Sequence, residues 1–352
     1  MQTIKSTQKE LLKAIKRVGL AVPGQTTLPI FRNILIQPGK QIALSATNLN
    51  FSITSKVKGK STLEEPVLIP AKQFRSFVSE VEGEVEIIAD WEEIILKSGC
   101  HQMRLRREDY ADYPPLPTVE SDKPIRFIDL ADCLKKIAWN MSRDLSRPVL
   151  HATAYTNGNL VAADGFTLGV VKPQVESLFL DETVIIPRDA IMAIIKMGLN
   201  TATMTVQPKG TLDLVEVKTD DVSVIATCVQ GTYPDFSKQT LATYPEKITV
   251  DSKTLLMAVK IAEISDAGPV TKFVSDDNGL MVTRDDKEYG VSTQSSIEGH
   301  GHLQTAINTT YLVNALSHCK GNIDIKSTNV SSPVEIEQGN CKWIIMPMFV
   351  QW

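Results

Sequence analysis

The chain has no long uninterrupted run of apolar residues. No segment approaches the roughly 18 consecutive apolar residues that a membrane-spanning helix needs. The first residues, MQTIKSTQKELL, also lack the apolar stretch of a signal peptide. These absences argue against a membrane protein and a secreted one, so we expect no membrane partner and a cytoplasmic location.

Cysteine and histidine are both scarce, with five of each among 352 residues. The cysteines are odd in number and no two have C-x-x-C spacing, which argues against a disulfide framework or a zinc site. His300 and His302 have a metal-like spacing, but no carboxylate or cysteine lies beside them in the pattern of a zinc or iron site. We therefore expect no metal and no cofactor.

Recognisable catalytic motifs are also missing. The sequence contains no G-x-S-x-G turn and no G-x-x-x-x-G-K-S phosphate loop. Ser142, Arg143 and Asp144 have no histidine at a recognisable interval, and the pairs Asp164-Gly165 and Asp285-Asp286 are more simply turns or strand ends. The sequence therefore predicts a protein that is not an enzyme.

What the chain does contain is a pattern that occurs three times. Turn pairs at Pro38-Gly39, Asn157-Gly158 and Asn278-Gly279 each stand between two short apolar strands, at intervals of roughly 120 residues. Polar stretches at 120–123 and 240–247 are typical of linkers. We predict three domains, with the bounds 1–120, 121–243 and 244–352.

Each repeat also contains two amphipathic segments, which predict six helices. Their predicted bounds are 7–18, 71–81, 130–144, 188–198, 252–264 and 309–320. These segments carry a net charge of about +8, although the whole chain has a net charge of -4. Positive charge is therefore concentrated on the helices of an acidic protein, which indicates a polyanionic partner.

The helical period places these charges away from the apolar residues. In the first segment Lys9, Lys13 and Lys16 share the side opposite Leu11 and Ile15. The fifth segment has Lys253 and Lys260 in the same arrangement. The alternative for any one helix is an ordinary solvated face.

Four separated motifs carry a family resemblance. They are TLPIFRNILI at 27–36, ADGFTLGVV at 163–171, YPDF at 233–236 and IIMPM at 344–348. In order and spacing they resemble the bacterial DNA sliding clamp, the beta subunit of DNA polymerase III. The resemblance covers the whole chain.

The resemblance implies an α+β fold of three repeated clamp-type domains, each with two helices packed on antiparallel sheets. Two such chains would form a homodimeric ring whose helices line a central hole around double-stranded DNA, independent of sequence. This processivity factor would tether the polymerase III catalytic subunit, the clamp loader, and other polymerases and repair proteins that carry clamp-binding peptides. The expected DNA contacts are Lys9, Lys13, Lys16, Gln25, Lys72, Arg75, Lys135, Lys136, Arg143, Lys196, Lys253 and Lys260.

Two further sites follow from the resemblance. A pocket for partner peptides, between the second and third domains, would contain Gly165, Phe166, Thr167, Leu168, Pro234, Val330, Ser332, Ile344, Met346, Pro347 and Met348. The dimer interface would join Met103 and Leu105 of one chain to Ile261 or Ile264 of the other. Core packing is the alternative for these four residues.

The chain also departs from the family pattern. Phe166 and Thr167 stand where histidine and arginine are usual, and Gln25 stands where the family often has arginine. The chain continues past MPM with 349–352, which would either fold over the pocket or fray. These differences favour a divergent clamp or a specialised paralogue, and the alternative function is a repeat-built protein-binding scaffold that does not act on DNA.

Overall fold

The computed structural model describes residues 2–39, 41–120, 124–176, 183–207, 213–236, 244–265, 268–276, 279–286 and 290–352. These residues form an α+β fold of helices packed on antiparallel sheets, which confirms the predicted class. The helices are α1 (Gln8–Val18), α2 (Ala71–Glu80), α3 (Leu130–Ile137), α4 (Arg188–Met197), α5 (Ser252–Glu263) and α6 (Thr309–Leu316). None of the helices described is long and apolar enough to span a bilayer.

The strands are short, as the apolar segments of the sequence predict. The first half of the chain contains β1 (Gln2–Thr7), β2 (Asn33–Gln37), β3 (Ile42–Thr47), β4 (Phe51–Val57), β5 (Gly59–Ser61), β6 (Val67–Pro70), β7 (Glu84–Ala89), β8 (Glu93–Ser98), β9 (His101–Arg106), β10 (Ile125–Phe127), β11 (Ala152–Thr156), β12 (Asn159–Ala163) and β13 (Thr167–Val171). The second half contains β14 (Val184–Pro187), β15 (Ala202–Gln207), β16 (Leu214–Lys218), β17 (Val222–Thr227), β18 (Glu246–Asp251), β19 (Val270–Asp276), β20 (Gly279–Asp286), β21 (Val291–Ile297), β22 (Gly299–His302), β23 (Gln304–Asn308), β24 (Asn322–Ser327), β25 (Val334–Gln338) and β26 (Cys341–Ile345).

Four sheets arise from these strands in the described part of the chain. Sheet A has the order β5-β1-β7-β8-β9, and sheet B has the order β10-β15-β16-β17-β4-β3-β2-β6. Sheet C has the order β14-β11-β12-β13-β26-β25-β24-β18-β22, and sheet D has the order β21-β20-β19-β23. Sheets B and C each contain strands from two of the predicted repeats.

The chain divides into two compact units. One contains the residues up to Ala131 together with Asp189–Cys228, and therefore holds sheets A and B. The other contains Asp132–Gln174 and Val229–Trp352, and therefore holds sheets C and D. The second repeat contributes to both units because its strands continue the sheets of its neighbours. Our division into three domains stays a prediction.

The helices form for the reasons that the sequence indicates. In α1 the buried residues Leu11, Ala14, Ile15 and Val18 follow the helical period, and the Thr7 hydroxyl accepts a hydrogen bond from Glu10 N. In α5 the Asp251 carboxylate accepts from Thr254 N at 2.8 Å. In both cases the last residue of the preceding strand caps the helix, which begins at the next residue.

The predicted third helix, 130–144, is too long. Regular helix stops at Ile137, a 3₁₀ turn covers Ala138–Asn140, and Met141 is extended with ψ of 131°. Asn140, Met141 and Ser142 are buried at three successive positions, a pattern that no single helix face provides. Arg143 therefore lies on a loop rather than on the helix where we placed it.

The turn predictions can be checked at two of the three repeats. Asn157 and Gly158 both have positive φ, 49° and 73°, as a two-residue hairpin turn of type I′ requires. Pro38-Gly39 lies between β2 and β3, which are paired. Asn278 and the linker residues 121–123 and 240–243 lie outside the described residues.

An ionic contact ties α1 to the turn between β16 and β17. The Asp221 carboxylate lies 2.8 Å from Arg17 Nη1 and 3.1 Å from Lys13 Nζ. Burial opposes ionisation of Asp221, but hydrogen bonds from Arg17, Lys13 and Thr219 outweigh it and hold the pKa of this carboxyl below its usual range. The charged Asp221 therefore holds the first repeat to the second.

We expect Asp221→Asn to destabilise the folded chain modestly. The loss should be about 1 kcal/mol or less, because the Asp221 side chain is 44% exposed and solvent screens the pair. Since the folded pKa is depressed, this contribution should be complete above the ordinary pKa of aspartate and decline below it, so that it is smaller at pH 3 and is lost only when the pH falls through the folded pKa. Urea unfolding at pH 7 and at pH 3 would measure both effects, and the adjacent exposed Asp220→Asn is the matched control. Equal free energies of unfolding for the two variants at pH 7 would contradict the prediction.

Candidate functional site

A pocket of about 200 Å³ opens where β12, β13, β26 and the segment 233–236 meet. Its lining is mostly apolar and consists of Leu150, Ala163, Gly165, Phe166, Thr167, Leu168, Tyr233, Pro234, Asp235, Phe236, Ile344 and Met346. Concave apolar surfaces of this kind bind small molecules or the side chains of peptides.

One wall of the pocket is built by a tight turn after β12. The Asp164 carboxylate accepts hydrogen bonds from Phe166 N at 2.9 Å and from Thr167 N at 2.6 Å. Gly165 has φ of +96°, a conformation that residues with a Cβ rarely adopt. The turn leaves the Phe166 side chain 61% exposed at the rim.

The second wall is the last strand of the chain. Thr167 and Leu168 of β13 pair with Ile345 and Ile344 of β26. Met346 N donates to Phe166 O at 2.9 Å, so the chain after β26 stays attached to the turn. This pairing brings residues that are about 180 positions apart in the sequence into one surface.

A buried cluster supports the pocket from below. It contains Ala152, Ala154, Val161, Leu168, Ile185, Tyr233 and Ile344. Burial raises the pKa of the Tyr233 phenol, so this side chain stays neutral at physiological pH. The base of the pocket is therefore uncharged.

A single arginine lies over the glycine of the turn. A Cβ built on Gly165 would lie 3.5 Å from Arg147 Nη1, and Arg147 Nε lies 3.6 Å from the Asp144 carboxylate. The Asp144 pKa is lowered, chiefly by its hydrogen bonds with Ser146. The mouth thus has a polar edge beside an apolar interior.

Seven of the eleven residues that we predicted for the pocket line it together. They are Gly165, Phe166, Thr167, Leu168, Pro234, Ile344 and Met346. Val330 and Ser332 lie on the loop between β24 and β25, and Pro347 and Met348 follow the pocket strand without lining the cavity. Their role in peptide binding stays a prediction.

Five lining residues were missed by the sequence reasoning. Tyr233, Asp235 and Phe236 belong to the YPDF motif, so the motif itself was the signal that could have found them. Ala163 opens the ADGFTLGVV motif, so that motif was its signal. Leu150 carries no such signal, because it lies in the loop before β11 and only tertiary packing brings it to the cavity.

The chain end neither covers the pocket nor hangs free, the two alternatives that we considered. Met348 N donates to Ala306 O of β23 at 2.8 Å, and Lys272 Nζ donates to Gln351 O at 2.8 Å. Lys272 also lies 5.9 Å from the centre of the Trp352 ring. The tail is therefore held on sheet D, with Phe349 92% exposed.

The predicted DNA contacts fall into three groups. Exposed side chains on helices are Lys9, Lys13, Lys16, Lys72, Arg75, Lys135, Lys196, Lys253 and Lys260. Gln25 and Arg143 are exposed on loops, and Lys136 is half-buried with Nζ donating to Asn340 Oδ1 at 2.8 Å. Lys13 is partly neutralised by Asp221. Whether any of them contacts DNA stays a prediction.

The residues weighed for catalysis do not assemble into a reactive group. His151 Nδ1 lies 2.7 Å from the carbonyl oxygen of Ser142, not from its hydroxyl. His300 pairs with Glu298 at 3.7 Å, whereas His302 lies beside Ser275. No group of three metal-ligating side chains occurs among the residues that the structure describes.

Comparison with known proteins gives one consistent family. A family model described as the DNA polymerase III beta subunit, N-terminal domain, matches residues 3–117. The beta sliding clamp of Chlamydia pneumoniae is 26% identical over 363 residues, with 97% of each chain covered. The first third of the chain thus matches the model of the DNA polymerase III beta subunit, and the chain is similar to a beta sliding clamp over nearly its full length.

Solved structures have the same fold over the whole length. The DNA polymerase sliding clamp of Bacillus subtilis has a TM-score of 0.87 and 22% identity, covering 99% of this chain and 100% of its own. The Helicobacter pylori beta clamp, solved bound to a DNA ligase peptide, has a TM-score of 0.86 and 18% identity with the same coverage. The chain therefore has the fold of these bacterial sliding clamps.

Proposed function

We propose that this protein is a DNA sliding clamp that closes around duplex DNA as a homodimeric ring and tethers other proteins through the apolar pocket. The observation that carries the proposal is a strand junction that occurs twice within the chain. Each junction joins the sheet of one repeat to the sheet of the next.

The two junctions have equivalent partners and the same register. In sheet B, β17 pairs with β4, with Val222 opposite Ser55 and Val224 opposite Ile53. In sheet C, β26 pairs with β13, with Cys341 opposite Val171 and Trp343 opposite Gly169. Each time, the last strand of one repeat (β17 or β26) pairs with a strand of the preceding repeat (β4 or β13).

The two remaining strands at equivalent positions do not pair with each other within the part of the chain that the structure describes. β9, the last strand of the first repeat, is an edge strand of sheet A, and β21, which corresponds to β4 and β13, is an edge strand of sheet D. Free edges are sites where a further strand can add. We infer that β9 pairs with β21 of a second copy, and that this heterologous contact closes after two copies.

The core-facing side chains of β9 support this pairing. Met103 and Leu105 lie opposite the buried Leu96 and Ile94 of β8, on the face of sheet A that packs on the core. They remain half-exposed only because no strand follows them. A second copy would complete this face, with α5 and its exposed Ile261 and Ile264 on the other side of the contact.

The charge distribution supports DNA as the ligand inside such a ring. Exposed lysines and arginines lie on the helix faces away from the cores, although the chain as a whole is acidic. Contacts from Lys and Arg to phosphates carry no sequence information and weaken with salt. A closed ring keeps the protein on DNA by topology, so weak contacts suffice and permit sliding.

The pocket supports peptide tethering. A relative with this fold was solved with a DNA ligase peptide, and the lining here combines methionine, aromatic and aliphatic side chains that adapt to different sequences. Polymerase III, a clamp loader, and other polymerases and repair proteins are the proposed partners. The proposal includes no catalytic step and no cofactor, and ATP would be used by the loader.

The decisive experiment compares circular and linear DNA. The protein is loaded onto nicked circular DNA by a clamp loader, isolated, and treated with a restriction enzyme that cuts the circle once. We expect retention on the circle with a half-life that drops at least tenfold after cutting, since a ring slides off an open end. Equal retention on both forms would mean ordinary electrostatic binding, and no loading at all would favour a protein-binding scaffold.

A further inference from the structure

The two junctions within the chain also share a contact between a helix and a turn. At the first junction, Lys13 and Arg17 of α1 reach Asp221 in the turn between β16 and β17. At the second junction, Lys136 of α3 donates to Asn340 in the turn between β25 and β26. Each contact joins a helix of one repeat to the turn just before the last strand of the next repeat.

The equivalent turn of the first repeat has no charge. Ser98 pairs with His101, and Gln338 pairs with Cys341, so Gly99-Cys100 corresponds to Gly339-Asn340. Thr219 N donates to Val222 O around the pair Asp220-Asp221 in the same way. Cys100, an exposed free thiol, therefore stands where the other turns carry Asp221 and Asn340.

The equivalent helix positions of the third repeat are apolar. α1 and α5 each follow a six-residue strand that ends at the capping residue, Thr7 or Asp251, and both pack on the hairpin strand of the junction. Counting from these caps, Met257 corresponds to Lys13 and Ile261 to Arg17. Their side chains are 60% and 40% exposed, although both are apolar.

These positions form one groove on α5. It has a volume of about 380 Å³ and is lined by Lys253, Leu256, Met257, Lys260, Ile261 and Ile264. The two junctions inside the chain use an ion pair from Lys13 and Arg17, or a hydrogen bond from Lys136, which lies one position further along its helix than the equivalent of Lys13. The junction left for a second copy has instead a largely apolar groove, which Lys253 and Lys260 also line, and an uncharged turn.

We propose that the turn around Cys100 of a second copy docks against Met257 and Ile261, so that the junction between copies is fastened by apolar contact. This inference rests on the proposed pairing of β9 with β21. In the register of the internal junctions, Met103 lies opposite Ser295 and His101 lies opposite Ile297 of the other copy. Because apolar contacts are not screened by salt, the dimer resists salt that releases phosphate contacts.

A double-mutant cycle tests this contact directly. Met257→Lys and Cys100→Asp together rebuild at the junction between copies the ion pair that Lys13 and Asp221 make within the chain. Met257→Lys places an unpaired cation against the uncharged turn, and Cys100→Asp places a carboxylate against Met257 and Ile261, so each should raise the dimer dissociation constant at least roughly tenfold. The double variant should recover to within about threefold of the parent at low salt, and lose this recovery as salt is added.

Sedimentation velocity over a concentration series measures the dimer dissociation constant of the parent, the two single variants and the double variant. If the double variant loses as much free energy of dimerisation as the two single variants together, the docking of Cys100 on Met257 is wrong. A parent chain that stays monomeric at every concentration would instead refute the proposed dimer. The two failures are therefore distinguishable.

Chemical cross-linking gives a second readout that does not depend on affinity. With a short bis-maleimide, Met257→Cys should yield a covalent dimer, and adding Cys100→Ser should abolish it. Thr310→Cys on α6 is the control, because this residue is exposed but lies outside the groove. Equal cross-linking of Met257→Cys and Thr310→Cys would contradict the proposed contact.

Discussion

Replacing Leu105 by aspartate should convert the proposed dimer into monomers at micromolar concentration. Leu105 continues the apolar face of sheet A at the free edge β9, where a second copy would bury it. An unpaired carboxylate in such a contact costs about 3 kcal/mol or more, which corresponds to a dissociation constant raised about a hundredfold or more. Sedimentation velocity would measure the shift, and retention on circular DNA should be lost in parallel.

Gln102→Asp is the matched control for this experiment. Gln102 lies on the same strand, is exposed, and places its side chain on the opposite face of sheet A. The same charge there should leave the dimer largely intact. If both variants dissociate equally, the effect would reflect charge along the edge rather than completion of the apolar face.

The second large effect is expected at the pocket. Met346→Glu would place a carboxylate among Phe166, Pro234 and Ile344, and an apolar peptide side chain would then have to desolvate that charge. We expect at least a tenfold loss of affinity for a labelled DNA ligase peptide, measured by fluorescence anisotropy. Because the Met346 side chain is 44% exposed, the thermal midpoint should change little.

Phe349→Glu controls for charge near the chain end. Phe349 is 92% exposed, lies three residues beyond Met346 and is absent from the pocket lining. Its replacement should leave peptide affinity within about twofold of the parent. Unchanged affinity in Met346→Glu would remove the cavity from the proposed peptide site.

Much of the secondary structure could be predicted from local patterns. α1 and α5 start where Thr7 and Asp251 cap them, and their buried residues follow the helical period. The third helix was overestimated because periodicity cannot detect where tertiary packing buries successive residues, as it does at Asn140 and Met141. Local sequence also gives no sign that the second repeat contributes strands to two different sheets.

The candidate site was only partly predictable for the same reason. Motifs located Gly165–Leu168, Pro234 and Met346, since each motif is a continuous stretch. Leu150 reaches the cavity from the loop before β11, and Lys13 meets Asp221 across 208 positions of sequence. Such contacts depend on register between strands, which a single sequence does not encode locally.

The sequence by itself determined the repeated turn pairs, the amphipathic helices and the concentration of positive charge on them, because all three are features of neighbouring residues. Only the tertiary structure decided which strands join the repeats and which edges remain free. Antiparallel strands pair through backbone groups that are alike in every residue, so the choice of partner depends on packing over the whole chain. In the described part of the chain, two of three equivalent strand pairs form within the chain, and the remaining two strands, β9 and β21, lie at sheet edges and are the basis of the proposed ring.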